Sequence, residues 1–173
     1  MDDNFIDEIV KEAKLGKRPA FKELCEINLK KIYNLAYRML LTPEDATRVT
    51  SKTFIEAWEN LKHLRSDQKF DSWIKSIAIH KILDEAKIGK STKSSGKTND
   101  DKSPNIESIN TKNVFELLIM SQPKIDRIVY ILHDLEDYSY RDIADFMNGL
   151  TIPQIKAIVR RTRENLVEAI KYA

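Results

Sequence analysis

A chain of 173 residues with 42% hydrophobic and 32% charged side chains can form one substantial core or two small domains, and a net charge of +2 gives no bulk argument for nucleic acid. No apolar run approaches a membrane span, and the opening MDDNFIDEIV is acidic where a secretory leader is basic and then apolar, so a soluble cytoplasmic protein is expected. The single cysteine, Cys25, excludes an intramolecular disulfide; His63, His80 and His133 lack the i,i+4 partners of a helical zinc site, so no metal and no cofactor is expected.

Only four glycines and five prolines occur, and apolar residues recur at helical spacing, which predicts an all-α chain. Phe21, Leu24, Ile27, Ile32, Leu35, Ala36 and Met39 define one helix or a helix pair. Pro43 opens the next, with Ala46, Val49, Phe54, Ala57, Trp58 and Leu61 on its apolar face. After a polar loop, KHLRSDQK, a third carries Phe70, Trp73, Ile74, Ile77, Ala78 and Ile82. From Gly89 to Asn113 the chain is rich in Ser, Thr, Lys, Asn and Asp and buries too little apolar surface to offset the entropy of ordering. The expected organisation is therefore two small helical domains, 1–90 and 114–173, joined by a polar flexible linker, 91–113. Four helices are predicted beyond it: Val114 to Met120, Ile125 to Leu135, Tyr140 to Met147, and a long one from Ile152.

The last two carry a start signal each. Ser139 with Asp142, and Thr151 with Gln154, have the spacing of reciprocal N-caps. The NGL between them supplies a turn in which Gly149 is free to take a positive φ. Two helices joined so closely match a helix-turn-helix, a test that a generic helical hairpin also meets. Lys156, Arg160 and Arg163, at i, i+4 and i+7, line one side of the second helix, whereas the first helix and its approach hold Asp134, Glu136, Asp137, Asp142 and Asp145. A one-sided basic stripe suits phosphates and the acceptor edge of guanine in a major groove; an ordinary solvated face with chance segregation is the alternative. No Gly-rich phosphate loop, Ser-His-Asp spacing or convergent carboxylate cluster occurs, so neither an enzyme nor a small-molecule substrate is expected.

The segment QPKIDRIVYILHDLEDYSYRDIADFMNGLTIPQIKAIVRRTRENL resembles region 4 of bacterial sigma-70-family factors of the extracytoplasmic-function type (ECF, group IV). Pro123, Arg127, Tyr140, Ile143, Ala144, Gly149, Arg161 and Arg163 supply that family's motif in order. The N-terminal part resembles region 2: AFKELCEINLKKIYNLAYRML its first helix, PEDATRVTSKTFIEAWENL its core-polymerase-binding helix, and FDSWIKSIAIHKILDEAK the helix that opens and reads the minus-ten element. The resemblance implies a sigma factor that binds the beta-prime and beta subunits of core RNA polymerase and promoter DNA, with an anti-sigma factor as a further partner. It implies polymerase contacts by Asp45, Arg48, Ser51, Lys52, Ile55 and Glu56, and minus-ten contacts by Lys62, His63, Arg65, Lys69, Phe70, Trp73, Lys75 and His80. Minus-thirty-five contacts fall to Thr151, Gln154, Lys156, Arg160, Arg161 and Arg163, with Arg161 and Arg163 on the DNA backbone. Phe70 and Trp73, at helical spacing with Ile74 and Ile77, also fit a core.

The departures are specific. Where the family usually has an acidic pair followed by Gln-Glu, this chain has Thr47, Arg48, Ser51 and Lys52; Ile158 replaces a usual arginine, and the turn gains a residue, Asn148. The expectation is a sigma factor with altered polymerase affinity and promoter preference. The alternative is a diverged relative that works as a protein-interaction adaptor or an autonomous helix-turn-helix regulator.

Overall fold

In the computed structural model, residues 3–65, 68–91 and 114–171 are described. The chain divides into two compact units, Met1–Gly89 and Lys90–Ala173. The expected linker lies outside the described residues except for Ser91, which ends a helix.

The first unit contains α1 (Asp3–Lys14), α2 (Arg18–Leu40), α3 (Pro43–Asn60), a 3₁₀ turn (Leu61–His63) and α4 (Phe70–Ser91). The sequence reading overlooked α1, whose short amphipathic pattern buries Ile9, Val10 and Ala13. The stretch expected as one helix or a pair is a single helix, α2. It stops at Leu41, which takes a left-handed φ of 67° and donates its N–H to Tyr37 O at 2.8 Å. Pro43 follows at the first turn of α3, where its missing N–H costs no helical bond. A connection of two residues thus folds α3 back along α2. Their shared core joins Leu24, Ile32, Ala57 and Leu61 to Ile74, Ile77 and Ala78 of α4, and the ring of Phe21 lies 4.9 Å from that of Trp58. Phe70 is only 3% exposed and belongs to this core. Burying a ring that size stabilises the unit by roughly 2–3 kcal/mol, so the residue anchors α4 and does not offer a stacking face.

The second unit contains α5 (Val114–Met120), α6 (Lys124–Tyr130) with a π-helical turn (Ile131–Leu135), α7 (Tyr140–Met147) and α8 (Ile152–Lys171). The helix expected over Ile125 to Leu135 is therefore an α-helix that widens in its last turn, closed by Glu136 N–H to Ile131 O at 3.0 Å. Arg127, the motif arginine, is buried and donates to Met120 O (3.2 Å) and Gln122 O (2.7 Å), tying off the carbonyl end of α5. Burial pushes its guanidinium down to about 10, still charged at neutral pH. Ile128, Val129, Ile131, Leu132, Ile143, Ile155, Val159 and Leu166 form the core beneath α7 and α8.

Both N-cap pairs form. Ser139 N–H donates to Asp142 Oδ2 (3.0 Å) and Asp142 N–H returns to Ser139 Oγ (3.2 Å). Thr151 donates from its amide and its hydroxyl to Gln154 Oε1, both at 2.9 Å. Between them Asn148 has φ 27° and Gly149 φ 128°; only glycine holds the second without strain. Asparagine is among the few side chains that tolerate the positive φ found at Asn148. The sequence of helix, short turn and helix is that of a helix-turn-helix.

Candidate nucleic-acid interface

On α8 the expected DNA-facing residues separate into two groups. Arg161 donates to the buried carboxylate of Asp126 on α6, from Nε at 3.0 Å and from Nη2 at 2.8 and 2.7 Å. Arg163 makes a fork to Asp134 in the π turn, at 2.8 and 2.7 Å. Both arginines were expected on the DNA backbone; their strongest partners are instead carboxylates of their own unit. Burial pushes the Asp134 carboxyl up, but hydrogen bonds and charge from Arg163 and His133 outweigh it and hold the group below the usual carboxylate range. Ile158, at the position of a usual arginine, is buried.

The other group faces outward. Thr151, Gln154, Lys156 and Arg160 are all exposed, and together they occupy the first three turns of α8 and its cap. Because the Gln154 carbonyl accepts from both donors of Thr151, the NH₂ is the end of that side chain left to donate. Arg160 is 79% exposed and its 3.8 Å pair with Glu164 is a loose surface contact of little energy. Lys156 Nζ sits 5.4 Å from the centroid of the Tyr140 ring. The acidic and basic segregation visible in the sequence is thus partly internal pairing, and the outward remainder is Lys156 and Arg160 beside a helix N-terminus. Arg141, in the first turn of α7, is a further exposed cation that the sequence reading passed over because it lies outside the α8 stripe.

In the first unit, Lys62, His63, Arg65 and Lys69 are exposed around the 3₁₀ turn and the approach to α4. Trp73 and Lys75 are half-buried, the Trp73 ring tilted at 52° to Phe70 with centroids 5.8 Å apart. His80 is exposed and its Nδ1 lies 2.7 Å from Ser76 O; a carbonyl only accepts, so Nδ1 carries a proton.

The face of α3 holds the largest surprise. Arg48 donates to Glu85 of α4 at 2.8 Å and also to Asp45; Lys52 reaches the other Glu85 oxygen at 3.7 Å. Hydrogen bonding by Glu85 is the leading reason that the Arg48 guanidinium is held above its ordinary range. Glu56 pairs with Lys81 of α4. The side chain of Glu85 is 12% exposed, so the two cations that looked like lost contacts neutralise a nearly buried carboxylate of the same unit. Ser51 and Ile55 remain outward, Ile55 at 59% exposure.

Two helical units, the second bearing a helix-turn-helix with cations on its outer face, define the protein's class by fold and surface. Residues 24–90 match the family model for sigma-70 region 2. Over 178 aligned residues, covering 94% of this chain and 95% of the relative, it is 25% identical to the ECF RNA polymerase sigma factor SigW of Bacillus subtilis. It is 22% identical to the ECF sigma factor SigE of Mycolicibacterium smegmatis, spanning 86% of this chain and 60% of that longer relative. Two solved folds are similar. Bartonella quintana RpoE, in complex with the anti-sigma factor NepR, gives a TM-score of 0.61 at 19% identity, covering 87% of this chain and 96% of that one. CnrH, in complex with the cytosolic domain of CnrY, gives 0.58 at 17% identity, covering 96% and 97%. Residues 24–90 are thus a sigma-70 region 2, and over nearly its whole length the chain is similar to sigma factors of the extracytoplasmic-function type.

Proposed function

We propose that the protein binds core RNA polymerase and directs it to promoters, where it reads the minus-thirty-five element as duplex and helps open the DNA at minus ten. The observation that carries this reading is the presence in one chain of the region 2 match, residues 24–90, and a helix-turn-helix whose second helix turns Lys156 and Arg160 outward. The work is binding and positioning, not catalysis, and it takes place in the cytoplasm, where polymerase and DNA meet.

Duplex reading is assigned to Thr151, Gln154, Lys156 and Arg160. The positive end of the α8 dipole and the adjacent cations suit a phosphate, and Lys156 and Arg160 suit guanine O6 and N7. Arg141 suits the phosphates flanking the groove, since the first helix of such a pair crosses the backbone. Arg161 and Arg163 serve by holding α8. Strand opening is assigned to the cations Lys62, Arg65 and Lys69 and to His63, with Trp73, Lys75 and His80 on α4; unstacking costs a few kcal/mol per step and is offset by stacking and phosphate contacts. Polymerase attachment is assigned to α3, with Ile55 as its apolar anchor and Asp45, Ser51 and Glu56 around it. Residues 91–113 are proposed as the linker between two separately folded domains. An anti-sigma factor is a fitting further partner, because the similar RpoE was solved with one.

The test is reconstitution of the purified chain with core RNA polymerase on genomic fragments, with permanganate probing for unpaired thymines. Opening that requires the chain, confined to a subset of fragments, is expected; no opening on any fragment, with no saturable binding to core enzyme, would overturn the reading.

A further inference from the structure

Lys156 is a long side chain with four rotatable bonds, and in water it would sample many directions around α8. Here it is not left to itself. Its Nζ lies over the ring of Tyr140, 5.4 Å from the centroid, and Tyr140 is the first residue of α7, directly after the Ser139 cap. The Tyr140 ring is in turn stacked on the imidazole of His133, with centroids 4.4 Å apart and planes at 25°. His133 Nδ1 lies 2.6 Å from Asp134 Oδ1, and Asp134 receives the fork from Arg163. The contacts run from Arg163 on α8 through the π turn to α7 and return to α8 at Lys156, two turns earlier on the same helix. Each member restrains the next, and Tyr140 is the last fixed surface before the ammonium.

From this geometry we infer that Tyr140, stacked on His133, is a positioning residue for promoter reading: its ring face fixes the direction in which Lys156 meets the minus-thirty-five duplex. The inference rests on the assignment of Lys156 to the DNA face. A cation held against an aromatic face loses its freedom on folding, before DNA arrives, so less is lost on binding. A contact of this kind at an exposed site corresponds to about a two- to five-fold change in an equilibrium constant. Phenylalanine presents nearly the same ring face as tyrosine, whereas leucine fills part of the volume and offers no ring, so the two substitutions separate a ring effect from loss of packing.

The experiment is a double-mutant cycle on the full-length protein assembled with core RNA polymerase. The probe is the minus-thirty-five duplex recovered by the wild-type protein from a library randomised at that element. Lys156→Ala is expected to weaken binding; if it does not, Lys156 is not on the DNA face and the inference falls with that assignment. Given that loss, Tyr140→Leu should weaken binding about two- to five-fold in the Lys156 background and by much less in Lys156→Ala, while Tyr140→Phe binds as wild type. Equal loss from Tyr140→Leu in both backgrounds overturns the positioning role and leaves the DNA assignment standing. A measurement on the free protein covers the case in which Tyr140→Leu fails to fold. The methylene protons of Lys156 should be shifted upfield by the ring in the wild type and in Tyr140→Phe, and should move toward random-coil values in His133→Ala. Random-coil shifts in the wild type would also overturn the inference.

Discussion

Replacing either partner of the Asp126–Arg161 pair removes the same three hydrogen bonds, but the two losses should not cost the same. The Asp126 side chain is 7% exposed and that of Arg161 is 59% exposed. In Asp126→Ala the surviving guanidinium turns to water, so the cost is that of charge-assisted bonds exchanged for hydration, about 1–1.5 kcal/mol. In Arg161→Ala the surviving carboxylate has little access to water. Removing one partner of a fully buried pair costs about 3–5 kcal/mol, and discounting for the solvated arginine brings this to about 2–3 kcal/mol. Amide hydrogen exchange in α6 and α8 of the full-length protein reads the second unit without averaging over the first. At one decade per 1.4 kcal/mol, the slowest α8 amides should exchange about 30- to 150-fold faster in Arg161→Ala and about 5- to 12-fold faster in Asp126→Ala. Equal acceleration by the two would refute the argument from burial; none in Arg161→Ala would show that the guanidinium does not anchor α8 and would return it to the set of direct phosphate contacts.

Arg160, solvated and outside that anchoring, should behave oppositely: Arg160→Ala leaves thermal unfolding unchanged but costs about 1–3 kcal/mol on the preferred minus-thirty-five sequence in competition binding. Ile158→Arg should destabilise the second unit by about 2–4 kcal/mol in urea titration with no gain in DNA affinity, because the side chain it replaces is packed inside. For Asp134 the sign follows from its depressed carboxyl: it contributes stability above its unfolded range near pH 4, and that contribution is lost as pH falls through the lower folded value, so Asp134→Asn should flatten the acid limb of a stability–pH curve. Lys52→Glu sets a second carboxylate beside Glu85, so the urea midpoint at neutral pH should fall, and added salt should recover part of the loss.

Much of the fold was legible because the signals are local. Pro43 marks the start of α3, the caps at Ser139 and Thr151 mark α7 and α8, and Gly149 marks the turn, each through backbone chemistry that neighbours in sequence decide. The misses have physical causes too. From Phe5 to Lys14 the helix α1 buries only Ile9, Val10 and Ala13, too sparse a stripe to stand out, and the π turn after Tyr130 differs from an α-turn by one hydrogen-bond register that no side-chain pattern announces.

The site was legible in its residue types and illegible in their pairing. Arg48, Lys52, Arg161 and Arg163 read as cations available to a partner, because the carboxylates that claim three of them closely, Glu85, Asp126 and Asp134, lie 29 to 37 residues away in sequence. Helical periodicity places a charge on a face but says nothing of what a neighbouring helix sets against it. The consequence for α3 is specific. Asp45, Arg48, Lys52 and Glu85 sum to no net charge, so under the proposed assignment of polymerase attachment to α3 these four groups add little long-range attraction, and the contact would lean on the apolar side chain of Ile55. The reversal that the sequence invites, acidic residues at 48 and 52, would gather three carboxylates, with that of Asp45, near Glu85 and loosen the contact between α3 and α4. Any gain in polymerase affinity from that reversal has to exceed the stability it removes from the unit that presents it.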